Sequence, residues 1–218
     1  AAGGSIKKSK NKTYVNALTD INVTVNKGER VGILGHNGSG KSTFLRLASD
    51  IYSPSKGSID RSVNVYPMIN KSFPTSLDLS GYEAAKGAYL LLKYSLKGFD
   101  EYIEDVINFS GIGDFIHLPI KIYSDGMCSR LLFSILTSIT HECLAMDEGF
   151  GTGDKEFYKK ATIRLDKFIN NSGTLLLASH SEVLLRRFCE RGIVFKKGEI
   201  VFDNHIDQAI SFYHENRI

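Results

Sequence analysis

The apolar run Val31-Gly32-Ile33-Leu34 opens directly onto Gly35-His36-Asn37-Gly38-Ser39-Gly40-Lys41-Ser42, and no other stretch restricts the fold so tightly. Its spacing is G-x-x-x-x-G-K-S, with no gap and no substitution. A buried strand must lead into such a segment and a helix must leave it. Glycines let successive backbone N–H groups turn inward, and the helix N-terminus adds its dipole to theirs. The group that suits this cradle is phosphate. Lys41 would reach the outer phosphates of a nucleoside triphosphate, and Ser42 would offer its hydroxyl to Mg²⁺. Gly35 through Ser42, together with Thr43, are the nucleotide-binding candidates. A plain glycine-rich strand-to-helix turn is the bland alternative, and eight matching positions in the right context weigh against it.

The rest of the chain suits that start. Over 218 residues, 42% hydrophobic and 23% charged is an ordinary globular balance, which excludes disordered and collagen-like chains. The net charge is only +3, and Lys7, Lys8, Lys10 and Lys12 account for the excess. Such a balance argues against nucleic acid as a partner, and the basic run reads as a solvated tail. No apolar run approaches the roughly 18 residues needed to span a bilayer, and no basic-then-apolar leader opens the sequence. Cys128, Cys143 and Cys189 are far apart and fit no metal spacing, as expected of a reduced, cytosolic, soluble chain.

Short apolar runs alternate with amphipathic stretches, the pattern of an α/β fold. Ile21–Val25 and Val31–Leu34 read as strands joined by a turn at Asn26–Glu29. Ser42–Asp50 reads as a helix and Ser58–Val65 as a weaker strand. Glu83–Leu92, Asp100–Phe109 and a segment carrying Met127, Leu131, Ile135 and Ile139 have helical spacing. Cys143–Met146 and Thr174–Ala178 are continuously apolar, as strands buried on both faces are. Phe157, Ala161, Leu165 and Phe168 mark a further helix, Phe195–Ile200 turns at Lys197-Gly198, and Asp207–Glu215 is a final helix. The expected organisation is one domain over 1–218, an α/β core with a helical subdomain inserted at about 73–135.

A phosphate-binding loop of this kind needs a carboxylate at the end of a buried strand. Cys143-Leu144-Ala145-Met146-Asp147-Glu148 supplies two. Asp147 would hold Mg²⁺, and Glu148 would polarise the attacking water. A solvated exit turn is the alternative, and the loop at 35–42 argues against it.

The loop, then Tyr123-Ser124-Asp125-Gly126-Met127, then Asp147-Glu148, Asp154 and His180 resemble, in order and spacing, an ABC-type ATPase. The stretch 123–127 stands where that family has Leu-Ser-Gly-Gly-Gln. It is similar to the variant found in ATPase subunits of polysaccharide exporters (capsule, O-antigen and teichoic acid). Gly-Thr-Gly-Asp at 151–154, Ser-His-Ser at 179–181 and Phe-Cys at 188–189 match the same branch.

The resemblance, which runs from about Tyr14 to Tyr213, implies a P-loop NTPase core of ABC-ATPase type, with ATP and Mg²⁺ as cofactors. It further implies a homodimer closed around ATP that powers export of a cell-surface polysaccharide through a separate integral-membrane permease. The subunit would be peripheral on the inner face of a bacterial plasma membrane. Ser124 and Gly126 would contact the γ-phosphate held by a second subunit, Asp154 would sit across that interface, and His180 would sense the γ-phosphate. Tyr14 is the candidate for stacking on adenine. The family's glutamine loop falls near Pro67–Phe73, where Asn70 is the nearest amide and no glutamine occurs. Asp125 departs from the family pattern and would set a carboxylate near a phosphate. Pro67–Leu92 would face the permease, with Phe73, Tyr82 and Tyr89 as anchors. The chain ends soon after His180, which points away from exporters carrying an added carbohydrate-binding domain. Two alternatives stay open: the ATPase of a different exporter, and a degenerate cassette that binds ATP without hydrolysing it.

Overall fold

The computed structural model describes residues 5–9, 12–69, 76–147 and 155–216, with the first strand pair described through its backbone. The chain divides into two compact units, one of residues 1–69, 141–148 and 172–218, the other of 70–140 and 149–171.

The first unit is built on a six-stranded sheet. In chain order its strands are β3 (Arg30–Leu34), β4 (Val65–Met68), β5 (Cys143–Asp147), β6 (Thr174–Ala178), β7 (Arg191–Lys196) and β8 (Glu199–His205). They lie side by side as β4-β5-β6-β3-β7-β8, and all neighbours are parallel except β7 and β8. The two continuously apolar runs are central strands, with Cys143–Met146 and Thr174–Ala178 buried throughout. The pleat sorts β3 by parity. Val31 and Ile33 meet Phe44 and Leu45 of α1 (Lys41–Ala48) in the main core. Gly32 looks the other way, where a Cβ would come within 2.8 Å of Ile206 and 3.0 Å of Leu185. Those two contacts belong to α7 (Ile206–Glu215) and α6 (Glu182–Phe188), so glycine lets both helices settle on β3.

Some expected strands moved, for physical reasons. Ile21–Val25 forms no strand. Its alternation is real, with Ile21, Val23 and Val25 half-buried against the core, but side-chain packing alone satisfies it. The strand expected at 58–65 begins only at Val65, because its neighbour β5 begins at Cys143, directly opposite. Pro67 is tolerated there because β4 is an edge strand. The basic run is not a free tail either. β1 (Ser5–Ser9) pairs antiparallel with β2 (Lys12–Asn16), placing Ile6 opposite Val15 and Lys8 opposite Thr13. The strand-forming run Thr13-Tyr14-Val15 supplies its partner. The turn between β7 and β8 is where the glycine put it: Lys197 and Gly198 have φ of 51° and 88°, the pair of positive values a tight hairpin requires.

The second unit is helical among its described residues: α2 (Gly81–Lys93), α3 (Phe99–Ser110), α4 (Asp125–Thr137) and α5 (Lys155–Asn171), with 3₁₀ turns at Gly113–His117 and Ile120–Ile122. Ser80 and Glu83 cap α2 reciprocally. The apolar face of α3 (Phe99, Ile103, Val106) packs with Leu131 and Ile135 of α4. Arg164 of α5 forks onto Asp105 at 3.0 and 2.5 Å and donates to Thr137 at 2.8 Å. Among the described residues, no helix is long and apolar enough to cross a membrane.

Candidate functional site

In an open parallel sheet, ligands gather outside the carboxyl ends of the strands. Here three adjacent strands, β5, β6 and β3, end side by side with Asp147, Ser179-His180 and the glycine-rich loop. Only the sheet order brings these segments together, since the loop lies more than a hundred residues before the other two in the chain.

The loop is held in its curl by residues that only glycine could fill. Gly35 has φ of +147°, and a Cβ there would sit 2.5 Å from the Phe195 carbonyl. Gly40 has φ of +113°, with Leu18 2.6 Å from where its Cβ would be. The hairpin turn supports the loop from outside, as the Gly198 N–H donates to the Ser39 carbonyl at 2.9 Å. Helix α1 then starts at Gly40 with no side chain capping its first N–H groups and no acid in its first turn. An open helix start carrying a lysine is a site for an anion. Lys41 is 8% exposed, and its ammonium donates to the carbonyls of Gly35 at 2.6 Å and His36 at 3.1 Å. The Ser42 hydroxyl donates to the Asp147 carboxylate, linking the first turn of α1 to the end of β5.

A cavity of about 620 Å³ lies over these groups. Asn37, Gly38, Gly40, Lys41, Ser42 and Thr43 form its floor, with Asp147 and His180 at the strand ends. Gly35 and Ser39 are buried behind the floor, while His36 is exposed, with Nδ1 donating to the Asn37 carbonyl at 2.7 Å. His180 stands between a buried strand and α6, whose first turn Ser181 caps by accepting from Leu184. Four further residues of the wall, Val15, Ala17, Arg46 and Tyr52, were not picked out by the sequence reading. Arg46 stands three residues after Thr43 on the helix, a spacing that could have suggested a shared face.

Ser124 and Gly126 lie in the second unit, exposed at the start of α4. The Ser124 hydroxyl accepts the Met127 N–H at 3.2 Å, so it caps the helix. Asp125 is exposed beside it, and partial burial together with that carboxylate holds the Cys128 thiol above its usual range. Burial pushes Cys143 up to about 11 and Cys189 up to about 12, and all three cysteines are free thiols. Glu148, Asp154 and Asn70 fall outside the described residues, as do Phe73 and the side chain of Tyr14. Of the expected permease anchors, Tyr89 is a core residue: it is 5% exposed, and its hydroxyl donates to the Lys97 carbonyl. Tyr82 is half-buried, edge-on to Phe99 at 5.6 Å.

The ABC transporter family model matches residues 18–151. The O-antigen export system ATP-binding protein RfbE of Yersinia enterocolitica is 37% identical over 95% of this chain and 87% of its own length. ATP-binding protein BexA of Haemophilus influenzae is 30% identical over 95% of this chain and 94% of its own. The teichoic acids export ATP-binding protein TagH of Bacillus anthracis is 33% identical over 95% of this chain, which spans 38% of that longer protein. Among solved structures, an ATP binding subunit of an ABC transporter superposes with a TM-score of 0.73 at 16% identity, covering 96% of this chain and 90% of its own. A dimeric ATP-binding cassette in a post-hydrolysis state with ADP and Pi gives 0.67 at 20%, covering 94% and 96%. At those identities the likeness is one of fold. The family model covers more than half of the chain and the relatives nearly all of it: the chain belongs to the ABC transporter family, as one of its nucleotide-binding proteins.

Proposed function

We propose that this chain hydrolyses ATP as one half of a homodimer and drives export of a cell-surface polysaccharide through a separate membrane permease, from the inner face of the plasma membrane. The observation that carries the reading is the convergence on one cavity of an uncapped helix start, a buried lysine, the Ser42–Asp147 pair and His180. The choice of a polysaccharide rests on the export relatives named above.

Roles follow from chemistry. The N–H groups of the loop and the Lys41 ammonium would hold the β- and γ-phosphates. The Ser42 hydroxyl and the Asp147 carboxylate already meet, and an all-oxygen pair of this kind fits Mg²⁺, which takes few protein ligands and completes its shell with phosphate and water. When bound, Mg²⁺ would neutralise charge on the phosphates. Glu148 would accept the proton of the water whose oxygen attacks the γ-phosphorus, as the bond to the β-phosphate oxygen breaks and ADP leaves. His180 would donate a hydrogen bond to the γ-phosphate. Ser124, Gly126 and Asp154 would act across the dimer on the partner's nucleotide. Tyr14 is proposed at the adenine and Asn70 beside the metal.

Glu148→Gln tests the assignment. ATP binding should persist while turnover falls by about a hundredfold or more, since an amide accepts no proton. A strain lacking the chain should lose its surface polysaccharide and regain it with the wild type but not with this variant. Hydrolysis by Glu148→Gln at the wild-type rate would remove Glu148 from the role of base. Tight ATP binding with no turnover in the wild type would favour the degenerate cassette, for which Asp125 is the specific sign.

A further inference from the structure

Helix α2 is apolar on two sides where one would serve. Its inner side, Ala84, Ala85 and Tyr89 with Ala88 and Leu92 against them, is packed into the helical core. Leu90 and Leu91 stand on the other side, and Tyr94 and Leu96 continue it beyond the helix end. All four are exposed, Leu91 at 70% and Tyr94 at 90%. Apolar residues on both sides are expected of a helix buried all round, yet these stand out from the surface.

The charges among them have one sign. From residue 84 to residue 99 the chain carries Lys86, Lys93 and Lys97 and no acid. The carboxylates that flank this stretch have local work of their own. Glu83 accepts the Ser80 N–H at 2.8 Å in the capping box. Asp100 and Glu101 fill the first turn of α3, whose start at Gly98 has no side-chain cap.

The segment is also held firmly. The Tyr89 hydroxyl donates to the Lys97 carbonyl, and the Phe99 N–H donates to the Leu96 carbonyl at 3.1 Å. Tyr94 takes the left-handed cap of α2 at φ 52° and ψ 21°, its N–H donating to the Leu90 carbonyl at 2.9 Å. That cap ordinarily falls to glycine or asparagine, so folding alone gives no reason for an exposed ring there.

Leucines and a tyrosine flanked by lysines have the chemistry of a lipid surface. The leucines enter the acyl boundary, the tyrosine sits at headgroup depth and the lysines reach phosphates. We infer that the outer face of α2 and the link to α3, Leu90–Lys97, form a binding surface for an anionic lipid bilayer. A bilayer suits these residues better than a protein partner, because protruding side chains enter a fluid layer without matched pockets. The proposal calls on neither nucleotide nor permease, so it stands or falls apart from the transport reading.

Flotation of the purified chain with vesicles tests it, using equimolar phosphatidylglycerol and phosphatidylcholine against phosphatidylcholine alone. The wild type should float with the anionic vesicles and not with the neutral ones, and should come off as salt rises. Lys93→Gln with Lys97→Gln should weaken binding about thirtyfold, roughly fivefold for each charge at the surface. Lys27→Gln with Lys56→Gln, the same change of net charge on exposed lysines elsewhere, should not. Leu91→Asp should weaken it at least as much as the first pair. Tyr94→Gly should weaken binding about fivefold while the melting temperature holds or rises, because glycine relieves the left-handed position. ATP affinity should be unchanged in all of them. A wild type that ignores anionic vesicles would overturn the proposal, and so would equal losses in the two lysine pairs, which would reduce it to overall charge. Vesicle binding untouched by Leu91→Asp and Tyr94→Gly would do the same; if Leu91→Asp then abolished polysaccharide export, the face would belong to a protein partner instead.

Discussion

Helix α1 starts at Gly40 with no side chain capping its first turn and no acid there, whereas α4 starts at Ser124, whose hydroxyl accepts the Met127 N–H, with Asp125 beside it. Both begin at a polar, glycine-bearing motif, yet one end is left open and the other is closed by its own serine. An open end has donors in hand for an anion and is costly without one. A closed end is stable alone and must trade its cap for any phosphate it meets. On the proposed function, the difference suits α1 to the standing phosphate site. It leaves α4 the part of a contact made on assembly, if the proposed dimer forms.

The largest effect should come at the open end. Lys41→Ala removes the buried ammonium and should cost ATP about 3 kcal/mol, more than a hundredfold in affinity by calorimetry. Wild-type affinity in this variant would break the comparison outright. Gly40→Ala forces a Cβ onto a backbone at φ +113°, with Leu18 2.6 Å away, and should lose about 2 kcal/mol of stability along with ATP affinity. A melting temperature equal to wild type would mean that the open start owes nothing to glycine.

At the closed end the effects are smaller. Asp125→Ser, made in the Glu148→Gln background, should strengthen ATP-dependent dimerisation by about 1 kcal/mol, roughly fivefold, if the carboxylate faces a phosphate. Sedimentation with ATP reads it, and an unchanged dimer fraction would put Asp125 away from the nucleotide. Ser124→Ala should lose about 0.5–1 kcal/mol in urea unfolding, the worth of an exposed N-cap. ATP affinity of the monomer should not move. If it does, the two helix starts are coupled within one chain and the contrast drawn between them fails.

Much of this molecule was legible from its residues. The loop at 35–42, the buried runs at 143–146 and 174–178 and the turn at Lys197-Gly198 carry their conformations in local chemistry: glycines that allow positive φ, side chains that suit burial on both faces. What local chemistry leaves open is which partner each segment finds. Ile21–Val25 alternates like a strand but has no ladder to join, and β4 starts where β5 offers it a neighbour, not where its own alternation starts. Lys8 pairs in a strand because Thr13 lies opposite. Tyr89 looked like a surface anchor and is core because α3 packs against it. Asp147, His180 and Lys41 share a cavity only because β5, β6 and β3 are adjacent, and Arg46 and Tyr52 join it only because the cavity follows α1 to its end. Backbone preference acts over a few residues, whereas strand order and burial depend on contacts a hundred residues apart, and that is where the reading of the chain gives way to the fold.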